Sequence, residues 1–189
     1  MFKFAVALFL ITFDPKLSPD GKAEFDMLPD FIGYVIMIYG FYKIWKRNKE
    51  EIEALGSVIK KAEIATIAAF VISYIQYLLD MYGIFQGLNK YLILIIGFAT
   101  DITLVLVIYM YIQVLAALQQ DKMYFQVKGL STLWKVLLIC VAGEYLTIMY
   151  VSSVAYTFFV FVILISIVFI IYMFTSALTY KMKFLSDRL

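Results

Sequence analysis

The chain has 189 residues, of which 64% are hydrophobic and 16% charged, with no histidine and a formal net charge of +2. A soluble domain of this length needs a far more heavily charged surface, so the composition excludes an aqueous globular fold and assigns the chain to lipid. The small net charge speaks against a nucleic-acid partner, and the single cysteine, Cys140, excludes internal disulfides and zinc clusters of the cysteine type.

Residues 1–13 form a short hydrophobic segment with one lysine, Lys3. It is short for a span and no small-x-small cleavage site follows, so we expect a retained short, tilted or re-entrant element. Residues 14–28 read as a polar outer loop, with Pro15, Pro19 and the acids Asp14, Asp20, Glu24 and Asp26. The first clear span is predicted over 29–45, where Pro29 suits the first helical turn because the amide it lacks would be unpaired there anyway. Residues 46–61 form a charged connector. Within it Ile52, Leu55 and Ile59 fall at i, i+3 and i+7, an apolar stripe suited to lying along the membrane surface while Glu50, Glu51 and Glu53 face water. A solvated helical linker is the alternative. Further spans are predicted over 62–85, 91–118, 133–151 and 154–178, with a tail over 179–189. The fold class is therefore all-α: one polytopic transmembrane helical bundle of five spans, or six if residues 1–13 also cross.

Orientation follows from the basic residues, because loops rich in Lys and Arg stay cytoplasmic. Lys43, Lys46, Arg47, Lys49, Lys60, Lys61, Lys122, Lys128, Lys135, Lys181, Lys183 and Arg188 gather on one side, and only Lys16, Lys22 and Lys90 on the other, a bias of twelve to three. The larger group is expected inside, which places the C-terminus in the cytoplasm of a multi-pass cell-membrane protein. The stretch from Tyr145 to Tyr180 contains 36 residues without Asp, Glu, Lys or Arg. As one helix it would measure about 54 Å, which no bilayer core of about 30 Å needs. With Lys135 and Lys181 both inside, the chain must cross twice between them and turn near Ser152 and Ser153. Aromatic residues cluster near the predicted ends, Tyr39, Phe41, Tyr42, Trp45, Tyr124, Phe125 and Trp134 inside and Tyr82, Phe85, Tyr91 and Tyr156 outside. This distribution resembles headgroup-level aromatic belts.

Two acids stand within these apolar spans, Asp101 and Glu144, neither with a basic neighbour. A charge at mid-bilayer costs roughly 2.5 to 3.5 kcal/mol on insertion scales, so each marks a candidate site. From the outer helix ends Asp101 lies about 15 Å deep and Glu144 about 10 to 14 Å, at one level. Small residues flank both, Gly97 and Ala99 on one helix and Ala142 and Gly143 on the other, and Cys140, Glu144 and Thr147 share a face. The second span adds a polar stripe of Thr66, Ser73, Gln76, Tyr77 and Asp80 along one helical face, expected to point into the bundle. On the outer side Asp80 joins Asp14, Asp20, Glu24, Asp26 and Asp30, six acids against three lysines, a mouth that would concentrate cations. Asp101 and Glu144 would share a proton, hold Na⁺ or bind an amine. Gln76, Tyr77 and Asp80 would line the approach, and Asp26 and Asp30 would form an outer gate. Two alternatives compete. The acids can be neutral and hydrogen-bonded to Tyr109, Thr103, Thr147 or Gln113, locking helix packing, or they can receive a basic residue of a partner.

The run Asp26-Met27-Leu28-Pro29-Asp30-Phe31-Ile32-Gly33-Tyr34 resembles a D-x-L-P-D-F-I-G-Y element of small multi-span membrane proteins of low-GC Gram-positive bacteria. The resemblance covers nine residues; it implies a bacterial inner-membrane address and supplies no activity and no site. Within the run Asp26 can cap the following helix, Asp30 can complement its positive end, and Gly33 and Gly40 mark a face for close packing.

No P-loop, G-x-S-x-G, paired His/Glu or dinucleotide-binding pattern occurs, so no enzymatic activity and no cofactor are expected. Two carboxylates are a thin ligand set for Mg²⁺ or Ca²⁺, and no metal centre is expected. The sequence thus points to a solute- or cation-binding membrane component. In size and span count it resembles the substrate-binding subunits of energy-coupling-factor transporters, which implies separate transporter subunits as partners, although the short first segment departs from that pattern. The alternative is a non-transporting accessory subunit that joins a membrane-protein partner through the Gly33 and Gly40 face, the connector or the fifth span. That span, rich in Phe, Ile and Val, is expected to face membrane lipid.

Overall fold

The computed structural model describes residues 2–12, 16–17, 25–26, 30–48, 53–117, 124–147, 154, 157–158 and 160–172. The chain is all-helical in class. Its helices are α1 (Phe2–Thr12), α2 (Asp30–Asn48), α3 (Glu53–Met81), α4 (Lys90–Ala117), α5 (Tyr124–Thr147) and α6 (Val160–Tyr172). The only extended pairing among the described residues is a two-residue antiparallel ladder of β1 (Lys16–Leu17) and β2 (Phe25–Asp26), with Lys16 opposite Asp26.

Three helices contain segments long and apolar enough to cross a membrane: Gly56–Met81, Tyr91–Ala117 and Val127–Thr147. Their outward faces are apolar. Ile64, Ile67 and Ile75 on α3, Ile95 and Leu106 on α4, Ile139 and Leu146 on α5 and most of α6 stand exposed. A contiguous apolar exterior of this extent has no stable place in water, and lipid contact accounts for it.

Helix α2 has 19 residues and would measure about 28 Å, but Lys43, Lys46 and Arg47 shorten its apolar length. Helices α3 and α5 each begin nine residues ahead of the spans predicted from hydropathy. Residues 53–61 of the predicted connector are the first turns of α3, with Lys60 and Lys61 exposed. Ile59, expected on a surface-lying stripe, is instead buried in the core at 1% exposure. The reason is helical continuity: Ile59, Ala62, Thr66, Ala69 and Ser73 recur every three or four residues and form one buried seam of mostly small side chains. Ile52 and the side chain of Leu55 lie outside the described residues.

The α3–α4 hairpin is closed by local chemistry. Gly83 adopts φ +65°, and its N–H donates to the Asp80 carbonyl at 2.8 Å, ending α3 with the left-handed residue that glycine tolerates best. Six residues later the Asn89 side chain accepts the Tyr91 N–H at 3.0 Å and caps α4.

The 11-residue α1 would span only about 16 Å, yet it lies at the heart of the bundle. Phe4, Ala5, Ala7, Leu8 and Ile11 are all buried. Gly33 and Gly40 of α2, seven residues apart, receive it: a Cβ on Gly33 would meet the Ala7 carbonyl and Ile11, and one on Gly40 would meet the Phe4 ring. The glycine face is therefore occupied from within the chain, and a partner cannot use it as the sequence had suggested. Phe4 also packs on Phe41 at 4.7 Å and on Tyr111 of α4 at 4.4 Å, joining α1, α2 and α4. At the other flank, Gly143 of α5 lies under Phe158 and Gly129 under the Tyr172 hydroxyl. Moving backwards along α5 thus corresponds to moving forwards along α6, so these helices are antiparallel. The required turn near Ser152 and Ser153 falls outside the described residues.

Packing is uneven along α4. Val105, Val107, Ile108, Tyr111, Ile112, Val114 and Leu115 are buried, whereas none of residues 91–104 is. The polar residues of the chain's interior begin where this tight core ends.

Candidate functional site

The centre is assembled from α2, α3, α4 and α5 at the level where the α4 core opens. Asp101, one helical turn beyond Gly97, is half-buried. Across the gap Tyr145 of α5 lays its phenol over Gly97 and donates a hydrogen bond from its hydroxyl to Asp101 Oδ2 at 2.7 Å. Phe98 packs edge-on against the same ring at 5.0 Å. The glycine is needed here: a Cβ at position 97 would stand 2.9 Å from the Tyr145 hydroxyl.

Glu144, adjacent to Tyr145 in the chain, is also half-buried. The helices that carry the two acids are joined at this level by the Tyr145–Asp101 hydrogen bond. The expected hydrogen-bond partners of Asp101 are engaged elsewhere. Thr103 donates to the Ala99 and Thr100 carbonyls, and Thr147 to those of Gly143 and Glu144, the local back-bonding open to a hydroxyl in a helix. Tyr109 packs on Trp134 at 4.8 Å, whose indole N–H donates to the Val105 carbonyl at 2.8 Å.

On the α3 side the predicted polar stripe turns inward at its middle. Thr66 and Ser73 are buried, and Gln76 is half-buried with its Oε1 accepting from the Thr100 hydroxyl at 2.6 Å. This bond ties α3 to α4 at the residue next to Asp101. Tyr77 is half-buried and packs edge-on against Phe31 of α2 at 5.4 Å. Asp80 is exposed at the end of α3. The polar stripe thus grades from a buried inner end to an open outer one.

The two gate residues separate. Asp26 sits in β2, four residues before α2 starts, with its backbone committed to the ladder opposite Lys16. It does not occupy the capping position that the sequence suggested, because α2 starts four residues after it. Asp30 lies half-buried in the first turn of α2, where a carboxylate complements the positive helix end.

Asp30 also brings α2 into the centre. Tyr34, one turn further along the same face, is completely buried at 0% exposure, and its hydroxyl has no hydrogen-bond partner among the described residues. Leaving a buried hydroxyl unpaired costs about 1 to 3 kcal/mol, so its position calls for a reason.

The structure therefore adds Tyr34, Thr100 and Tyr145 to the residues singled out by sequence. Among the described residues no three of Asp, Glu, Cys or His come together as a metal-binding group. What the arrangement provides is a set of carboxyl, hydroxyl and amide oxygens. From Tyr91 to Asp121 and from Val136 to Tyr180 the chain carries no Lys or Arg. No protein-family model matches the chain, and no curated protein or solved structure is similar to it, so the geometry of this centre carries the functional conclusion.

Proposed function

We propose that the chain is a multi-pass integral membrane protein of the cell membrane that binds a small cation or cationic solute between Asp101 and Glu144. Five spans, a cytoplasmic C-terminus and an acidic outer mouth complete this assignment. The apolar faces of α3, α4, α5 and α6 and the twelve-to-three distribution of basic residues support the topology. The D-x-L-P-D-F-I-G-Y resemblance supports a bacterial inner membrane. Gln76, Tyr77 and Asp80 line the approach from the outer side, with Asp30 near its base and Asp26 in the loop above. The role is binding, without a cofactor and without catalysis, in a component that works alone or beside transporter subunits.

One observation supports the proposal: the Tyr145–Asp101 hydrogen bond brings the helix position of Glu144 beside that of Asp101 within an apolar bundle, and neither the stretch from Tyr91 to Asp121 nor that from Val136 to Tyr180 carries a Lys or Arg. Two carboxylates in such surroundings are stabilised by a mobile positive charge, whether a proton, a metal ion or an ammonium group. Titration of the purified protein with Na⁺ and with small amines tests this. Asp101→Asn and Glu144→Gln should each weaken binding at least about tenfold, since a charge-assisted contact contributes about 1.5 to 3 kcal/mol. Unchanged affinity in both variants would refute the assignment.

A second function is favoured by the Tyr145–Asp101 hydrogen bond. If that bond exists to lock α4 onto α5, the chain is an accessory subunit of a membrane complex and the acids serve packing. Wild-type protein that binds none of these cations, together with an Asp101→Asn variant of reduced stability, would establish this alternative.

A further inference from the structure

We propose that the face of α2 bearing Tyr39, Tyr42, Lys43 and Lys46, completed by Lys3 of α1, binds the phosphate headgroup of an anionic phospholipid. This surface is separate from the Asp101 centre and requires only that α2 is bordered by lipid, as its exposed apolar residues indicate.

The outward stripe of α2 is graded along its length. Ile32, Val35, Tyr39, Tyr42 and Lys46 follow one another at three or four residues and so share one face. All five are exposed, as are Lys43, one turn beyond Tyr39, and Trp45, whose ring lies 6.4 Å from that of Tyr42. From the start of the helix the order is aliphatic, then aromatic, then cationic. One leaflet presents the matching order of acyl chain, headgroup boundary and phosphate.

Helix α1 adds a cation to this face. Ala7 and Ile11 meet Gly33 and Phe4 meets Gly40, so α1 runs antiparallel to α2 and its first turn lies beside the middle of that helix. There Lys3 Nζ stands 4.0 Å from the centre of the Tyr39 ring. The ring is 52% exposed, so the ammonium group is held on the lipid-facing stripe and not in the core. Side chains on a helix lean towards its N-terminus. Lys43 and Lys46 therefore lean back towards Tyr39 and Tyr42, while Lys3, on a helix of opposite direction, leans towards them. No acid of α1 or α2 accompanies the three lysines, since α1 has none and that of α2 is Asp30, at its far end.

Depth supplies the need for a counter-charge. The apolar part of α2 from Phe31 to Tyr42 is 12 residues. That is about 18 Å of helix, well short of a hydrocarbon core of about 30 Å. A short apolar segment thins the bilayer beside it and makes its flanking cations snorkel. A headgroup is thus drawn down along α2 to the level of Lys3, where an ammonium group needs a partner. The phosphate supplies the charge, and the Tyr39 and Tyr42 hydroxyls can donate to it. A zwitterionic lipid brings its own cation next to its phosphate and is repelled by the cluster; an anionic lipid is not.

Full-length purified protein in a neutral detergent is titrated with dioleoyl phosphatidylglycerol, dioleoyl phosphatidylcholine or inorganic phosphate, and thermal unfolding is the readout, because a ligand selective for the folded state raises its stability. Wild type should respond to phosphatidylglycerol at concentrations at least about tenfold below those of phosphatidylcholine, and should not respond to phosphate alone. Lys3→Gln and Lys43→Gln should each weaken the phosphatidylglycerol response about fivefold, the effect of one cation near an anionic headgroup, and leave the phosphatidylcholine response unchanged. Lys3→Arg keeps the charge and should titrate like wild type. The control is Lys128→Gln with Lys135→Gln, which removes two exposed cations of α5, a helix that packs on α4, and should also titrate like wild type. Equal weakening in the control overturns the proposal, because overall charge and not this face would then attract the lipid. A Lys3→Gln chain that unfolds at lower temperature without lipid but titrates like wild type overturns it too, since Lys3 would only clasp α1 to α2. Equal response of wild type to the two lipids, or a response to inorganic phosphate matching that to phosphatidylglycerol, likewise overturns it. If Lys3→Gln fails to fold, Lys43→Gln against the α5 control decides alone.

Discussion

At the scale of single residues, the space over Gly97 is filled by one atom, the Tyr145 hydroxyl oxygen, and that oxygen is also the hydrogen-bond donor to Asp101. A methyl group on residue 97 would sit 2.9 Å from it, too close for both to keep their places. Gly97→Ala must displace the phenol, combining overpacking of about 1 to 3 kcal/mol with loss of the bond to the carboxylate. Tyr145→Phe removes the bond alone and should cost about 1.5 to 3 kcal/mol. The double variant should lose clearly less than the sum of the two, because phenylalanine leaves room for the methyl group. Thermal unfolding in detergent measures each arm, and strict additivity would show that the two positions do not share this space. Sequence made Asp101 and Glu144 conspicuous, since a charge within an apolar run contrasts with everything around it. Tyr145 does not stand out among 15 tyrosines and 17 phenylalanines, and Tyr34 stands out only as the end of the D-x-L-P-D-F-I-G-Y run. Their signal was relational: Gly97 leaves a gap one turn before Asp101, and Tyr34 follows Asp30 by one turn. Spacing along one helix identifies such a gap but not the side chain from another helix that enters it.

At the scale of elements, α1 decides how the bundle is filled. Its ring at Phe4 is wedged among Gly40, Phe41 and Tyr111, whereas Phe9 on its opposite face is 42% exposed. Phe4→Ala should therefore destabilise the protein by about 3 to 5 kcal/mol, the range for emptying a buried aromatic site. Phe9→Ala should stay within about 1 kcal/mol, as for a position outside the core. Equal losses at the two positions, read from unfolding in one detergent, would refute the central placement of α1. The segment was legible as hydrophobic and too short to span, and Gly33 and Gly40 as a face for close packing. That one was made for the other depends on contact between segments about 30 residues apart in sequence, which no local pattern encodes. Helix ends were harder to read than helix centres. Hydropathy falls where Lys60, Lys61 and Lys128 leave the lipid, but hydrogen bonding along the backbone does not stop there, so α3 and α5 continue into the charged segments.

For the whole molecule, the antiparallel hairpin of α3 and α4 places Lys61 and Asn89 at opposite ends of the bundle, and the course of α4 into α5 returns the chain to the Lys61 end at Lys128. All three residues are exposed, while Cys140, the single cysteine, is buried, so labelling at introduced thiols meets little background. The proposed topology orients this arrangement by its basic residues: the end that carries Lys60, Lys61 and Lys128 is predicted to face the cytoplasm. In a Cys140→Ala chain, Asn89→Cys should react with a membrane-impermeant maleimide in intact cells. Lys61→Cys and Lys128→Cys should react only after the membrane is opened. Reaction of all three in intact cells would deny that α3 and α4 cross the bilayer. The reverse pattern would keep the crossings but invert the molecule, placing the acidic mouth on the cytoplasmic side. The side from which the proposed cation would reach Asp101 is decided by the same experiment. The Asp80 end of α3 and the first turn of α2 open towards whichever side labels Asn89.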